Sequence, residues 1–183
     1  MTLRRRDLML AIPFVLAVAS GTAFAADANT VYLDTKDGRI TIELRPDLAP
    51  KHVAQIKKLT SQHFYDGIVF HRVIDGFMAQ TGDPTGTGTG GSKLPDLKAE
   101  FNATPFKRGT LGMARSQSPD SANSQFFICL ADAPFLNGKY SVFGEVTAGM
   151  DVVDKIKKGS SDNNGAVDAP DKIVTMRLAS DTK

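Results

Sequence analysis

An arginine and a glutamine sit among aromatic and thioether side chains in the run Phe70-His71-Arg72-Val73-Ile74-Asp75-Gly76-Phe77-Met78-Ala79-Gln80-Thr81-Gly82-Asp83. Two strand-like stretches flank Asp75-Gly76, and an Asp-Gly pair in that setting is a strong hairpin signal. A guanidinium keeps its proton at any working pH and offers five N–H donors. Beside Phe70, Phe77 and Met78 it suits a site that works by hydrogen bonding and apolar grip, with no activated nucleophile or metal evident. Side chains alternate along a strand, so Phe70 and Arg72 are expected on one face and Val69, His71 and Val73 on the other. An arginine so placed is salt-bridged, solvated, or held for a ligand. Gln80 adds an amide able to orient a guanidinium or a ligand carbonyl.

A second group follows downstream. Met113-Ala114-Arg115 leads through a polar loop to Asn123-Ser124-Gln125-Phe126-Phe127-Ile128, and then comes Phe135-Leu136-Asn137-Gly138-Lys139-Tyr140. Phe126 and Phe127 must point to opposite faces of one strand. One is expected in a core, and the other has to be covered by a helix, a loop or a ligand. Taken alone, such aromatics are more often core than site.

Other chemistries find less support. His52, His63 and His71 are the only histidines, and no Gly-x-Ser-x-Gly elbow surrounds any serine, so a hydrolase is disfavoured. His71 reads as a satisfied core or edge residue facing away from Arg72. Metal-ligand spacing is absent, and neither a metal nor a cofactor is expected. The tract from Gly82 to Lys93 is glycine-rich but lacks a Gly-Lys-Ser/Thr pattern, and Pro95 precedes any helix, so it reads as a flexible surface loop beside the site. Cys129 is the lone cysteine and sits in an apolar run, which marks an inert buried thiol.

The elements that must position these residues begin after a leader. Arg4-Arg5-Arg6 form a basic head, Leu8 through Val18 are mostly apolar, and Ala23-Phe24-Ala25 fits a cleavage signal. Residues 1–25 are expected to be a secretory signal peptide cut after Ala25, and 26–183 the working domain. Arg5-Arg6 is also compatible with twin-arginine export, an ordinary secretion leader being the alternative. Without the leader's three arginines and Asp7, nineteen basic side chains face nineteen acidic ones. Nucleic acid and anionic membranes therefore find no charge to attract them, and no membrane insertion is expected once the leader is gone. The length suits one domain with a real core.

Strands are expected at 31–35, 39–44, 68–73, 77–81, 110–114, 126–130, 142–146 and 172–178, with a hairpin at Lys36-Asp37-Gly38. Pro50 can open a helix reaching about Gln62, with Val53, Ile56, Lys57 and Thr60 at helical spacing and Leu59 beside them. A second helix is expected from Met150 to about Lys157, with Gly159 as a stop. Many strands, two short helices and abundant turns favour an antiparallel barrel over a βαβ fold.

Three separated motifs, in order, resemble those of the cyclophilin-type peptidyl-prolyl cis–trans isomerases. They are Phe70-His71-Arg72-Val73-Ile74 with Gly76-Phe77-Met78-Ala79-Gln80, then Asn123-Ser124-Gln125-Phe126-Phe127-Ile128, then Val142-Phe143-Gly144-Glu145-Val146. The resemblance implies a mainly β fold, a closed eight-stranded antiparallel barrel capped by two α-helices, and catalysed rotation about X-Pro bonds. It makes Arg72, with Gln80 and Phe77, the catalytic group. Met78, Ala114, Phe127, Phe135, Leu136 and Tyr140 would bind the proline-containing polypeptide. Eukaryotic members usually carry tryptophan where Phe135 stands, a residue that helps bind cyclosporin, and often histidine where Tyr140 stands. Both departures look like those of exported bacterial members, and the protein is expected in the bacterial periplasm as a monomer. The rival function is a proline-peptide-binding module or holdase with little turnover.

Overall fold

Apolar residues alternate along the strands, and that alternation builds two packed faces rather than one. The computed structural model describes residues 28–182. The leader and its cleavage point lie outside them. Eight strands form one sheet: β1 Thr30–Thr35, β2 Gly38–Leu44, β3 Arg72–Ile74, β4 Met78–Thr81, β5 Thr110–Met113, β6 Phe126–Cys129, β7 Val142–Ala148 and β8 Thr175–Leu178. Their order is β3-β4-β6-β5-β7-β2-β1-β8, and every ladder is antiparallel.

Register explains the two faces. One transverse row runs Val73, Ala79, Ile128, Leu111, Gly144 and Leu44 across six strands. Its apolar members join the main core with Phe126, Phe143, Tyr65 and Ile56. The next row runs Arg72, Gln80, Phe127, Gly112 and Val142 on the opposite face. There Phe127, Met78, Phe106, Leu136 and Val142 make a second, smaller cluster. Phe126 and Phe127 thus divide as adjacent strand residues must.

The barrel is not closed as expected. Strands β3 and β8 are the sheet's two edges and share no ladder among the described residues. Single bridges cross the gap, Val69 with Lys172 and Arg72 with Ala166. Gly67 N–H donates to Ile173 O and Phe70 N–H to Asp171 O, both at 2.8 Å. Asn164, Gly165 and Ala169 take positive φ (50°, 79° and 48°), so this stretch cannot run as a strand and zip the edges together. The result is a curled, open half-barrel.

The expected strand at 68–73 contracts to Arg72–Ile74 for the same reason. Its donors and acceptors are claimed by the loop, with Val167 N–H donating to His71 O and Val73 N–H to Gly165 O. The pleat therefore resets, and Phe70 and Val73 both enter the core while Arg72 faces out. The expectation that Phe70 and Arg72 share a face fails here.

Helix α1 spans Pro50–Ser61 and lies against β8 and β7. Pro50 starts it with φ already set. No side chain at Ala49 caps the helix; Glu100 does, accepting from Lys51 N and His52 N at 3.1 Å each and meeting His52 Nδ1 at 2.6 Å. Helix α2, Met150–Lys155, lies against β2 and ends before the expected Lys157, because Ile156 turns extended.

Candidate active site

The β3–β4 hairpin sets the site's polar edge. Arg72 and Gln80 are directly paired across it, and the turn at Asp75-Gly76 uses a positive φ of 66° at Gly76. Arg72 Nη1 donates to Gln80 Oε1 at 3.3 Å. From the far side of the seam, Asn164 accepts twice: its carbonyl from Arg72 Nε and its Oδ1 from Nη2, both at 2.9 Å. Three of the five donors are thus committed, leaving one N–H on each terminal nitrogen. No carboxylate among the described residues pairs with this guanidinium, although burial draws its pKa below the ordinary arginine value and Tyr140 opposes that.

The relay continues outward. Gln80 Nε2 donates to Gln125 Oε1 at 2.9 Å, and Gln125 Nε2 donates to Gly88 O and Gly90 O at 3.0 and 2.8 Å. Those carbonyls belong to the glycine-rich loop, which is tethered rather than loose. Asp83 gathers it, accepting from Thr85 N at 2.7 Å, Thr87 N at 3.1 Å, Gly88 N at 2.6 Å and Gly90 N at 3.1 Å. A Cβ at Gly90 would lie 2.2 Å from Asp83 Oδ1, so any larger residue there would displace the carboxylate that gathers the loop. Burial alone would raise the Asp83 pKa, but bonds from Thr85, Gly90 and Gly88 hold it down at about 2.

Apolar side chains form the floor. Phe127 stacks on Phe106 at 5.7 Å and meets Tyr140 edge-on at 5.8 Å. Gly112 makes room for both phenylalanine rings, since a Cβ there would fall 2.4 Å from Phe127 Cζ and 2.6 Å from Phe106 Cε1. Arg72, Phe77, Met78, Gln80, Ala114 and Phe127 surround a pocket of about 120 Å³, with Leu136, Tyr140 and Arg115 completing it. It is a small pocket with an apolar floor and a fixed cation at its edge.

The matching family model, described as cyclophilin type peptidyl-prolyl cis–trans isomerase, covers residues 30–178. The chain belongs to the cyclophilins. A Brucella suis protein named "Probable peptidyl-prolyl cis-trans isomerase" is 62% identical over 174 residues, spanning 88% of this chain and 89% of its own. A Helicobacter pylori peptidyl-prolyl cis-trans isomerase is 44% identical over 137 residues, 72% of this chain and 83% of the relative. Among solved structures, a cyclophilin from Hirschia baltica superposes with a TM-score of 0.77 at 29% identity, over 86% of this chain and 76% of that one. A Cryptosporidium parvum cyclophilin crystallised in the presence of the dipeptide Ala-Pro gives 0.75 at 31%, over 81% and 98%.

In this cyclophilin the pocket brings together eight of the nine expected residues. Phe135 is the exception. Its ring packs on Phe77 at 5.2 Å but does not line the pocket, and it is 57% exposed. Three neighbours escaped the sequence reading of site residues: Arg115, Gln125 and Asn164. Gln125 lies within the Asn123–Ile128 motif and Arg115 directly follows Ala114, so both were open to recognition from their neighbours. Asn164 lies 92 positions from its arginine, and no spacing rule connects them. His71 also departs from expectation. It is buried, yet neither ring nitrogen has a partner among the described residues, and Gly88 sits against the ring. Burial lowers its pKa, against the pull of Asp83 and with the push of Arg72.

Proposed function

We propose that the pocket between Arg72 and Phe127 holds the proline ring of a polypeptide while the preceding peptide bond turns. Rotation meets a barrier of ~18–20 kcal/mol because the nitrogen lone pair is delocalised into the carbonyl. At about 90° that conjugation is lost and the lone pair becomes a hydrogen-bond acceptor. A donor aimed there stabilises the twisted form and not the planar one, which is the condition for catalysis. Arg72 supplies that donor through an unused terminal N–H. Gln80 holds it in register, and Phe77, Met78, Phe127 and Leu136 grip the ring. Ala114 and Tyr140 bound the ring's other side, and Phe135 lies outside it against Phe77. One such bond in a desolvated groove contributes about 3–4 kcal/mol, with the rest supplied by tighter binding of the twisted chain.

The observation that carries this reading is a guanidinium oriented only by neutral acceptors at the edge of a pocket floored by apolar side chains. Arg72→Ala should lower kcat/KM on an X-Pro tetrapeptide at least about a hundredfold with an unchanged circular dichroism spectrum. Activity kept within a few-fold would remove Arg72 from the reaction, and a wild type that binds the peptide without turnover would favour the holdase. The basic head and apolar stretch of residues 1–25 support a role in folding newly exported polypeptides in the periplasm. Intact-mass analysis of the protein from a Gram-negative host should show cleavage after Ala25; full-length protein in the cytosol would refute export. Only Phe101, Phe135 and Val174 are large and exposed among the described apolar residues, which supports a monomer, checked by light scattering.

A further inference from the structure

Beside the proline pocket opens a larger depression of about 570 Å³. The two share a wall made by Gln80, Ala114 and Arg115. Arg115 is the one charged side chain of that wall, and its setting is unusual for a surface arginine. Nε and Nη2 donate to Lys139 O at 3.3 and 3.0 Å, and Nη1 donates to Ser116 O and Gln117 O at 2.9 and 3.3 Å. Its guanidinium carbon lies 4.6 Å from the Tyr140 ring centroid and 5.9 Å from that of Phe101. Four of five donors are therefore fixed by backbone carbonyls, and one Nη2–H remains. No acidic side chain among the described residues pairs with it. The only acid in the depression's lining, Asp96, is not in the shared wall and accepts from Asn123 Nδ2 at 2.9 Å.

A cation so placed is oriented without being neutralised. We propose that Arg115 makes this site prefer substrates carrying a carboxylate side chain beside the X-Pro bond. The inference rests on the proline-pocket reading above, because it takes the depression to hold the residues flanking that proline. An arginine with one free N–H and an uncancelled charge attracts a carboxylate through a charge-assisted bond. Arg115 is partly exposed, so solvent screens it and the preference is modest.

The test uses acetylated, amidated proline peptides that differ only in Glu, Gln or Lys, placed in turn at each of two positions on either side of the X-Pro bond. Turnover is read by exchange NMR. At one position, kcat/KM for the Glu peptide should exceed that for the Gln peptide by about two- to fivefold at low ionic strength, with Lys lowest. The ratio should shrink towards one in ~0.5 M salt. In Arg115→Gln the Glu-to-Gln ratio should fall to one whatever the absolute rate, and Arg115→Lys should keep part of it. Equal turnover of all peptides by the wild type, or a ratio that survives in Arg115→Gln, overturns the inference. Failure to turn over any peptide would instead sink the proline-pocket reading.

Discussion

Removing the charge of Asp83 is the perturbation whose consequences travel farthest. This carboxylate is 1% exposed and gathers the glycine-rich loop, whose Gly88 and Gly90 carbonyls hold Gln125, which holds Gln80, which holds Arg72. It titrates at about 2 folded against an ordinary 3.8. Between those values the native state binds fewer protons than the unfolded chain. The contribution is complete above the unfolded value and fades as pH falls towards 2. That gap is worth roughly 2–2.5 kcal/mol. At 2–4 °C per kcal/mol for a domain of this size, Asp83→Asn should lower Tm by about 4–10 °C at pH 7. The difference from wild type should narrow as pH drops below 4, to about a third of its neutral-pH size near 2.5, and vanish only below the folded value. Calorimetry across pH measures both, and hydrogen exchange at Thr87, Gly88 and Gly90 locates the loss. Because the relay positions Arg72 rather than supplying it, kcat/KM should fall about tenfold, less than on removing Arg72. A Tm deficit that stays constant from pH 7 to 2.5, or none at all, would refute the reasoning.

Two substitutions probe the groove more directly. Asn164→Asp keeps an oxygen 2.9 Å from Arg72 Nη2 and tolerates the left-handed backbone, but it adds a negative charge. It should cut kcat/KM about 10- to 100-fold with Tm unchanged or raised, whereas undiminished activity would show that only geometry matters at that contact. Gly112→Ala places a methyl within 2.4 Å of Phe127 and 2.6 Å of Phe106, so the two buried rings must shift to admit it. It should cost about 1–3 kcal/mol in denaturant unfolding and lower activity with it; wild-type stability would disprove the close packing.

Much of this was legible because strands and turns obey local rules. Lys36-Asp37-Gly38 and Asp75-Gly76 announced the hairpins, Pro50 opened α1, and the opposition of Phe126 and Phe127 followed from the pleat. The Arg72–Gln80 contact was readable for the same reason, since the hairpin makes them partners. Alternation failed at Phe70 because it presumes a regular strand, and β3 begins only at Arg72. Closure of the barrel depended on how residues 164–173 meet 67–73, a pairing decided by positive φ values far along the chain. Asn164 and the Glu100 cap of α1 share that character. Each joins segments separated by dozens of residues, and neither leaves a periodic trace.

The described arginines sort into two kinds by the partners that hold them. Arg39, Arg45, Arg108 and Arg177 each make two nitrogen–oxygen contacts with one aspartate, namely Asp34, Asp47, Asp154 and Asp66. Those pairs fix the surface and cancel their own charge. Arg72 and Arg115, the two that line the pocket, are held only by amide and carbonyl oxygens. A carboxylate would hold either one more tightly, but it would also satisfy the charge that the proposed ligand, a twisted imide or an acidic side chain, would have to compete for. Neutral acceptors fix a guanidinium's direction and leave its field intact. On the reading proposed above, a site that makes no bond and uses no proton transfer needs a cation of that kind, and the neutral acceptors around Arg72 meet that need.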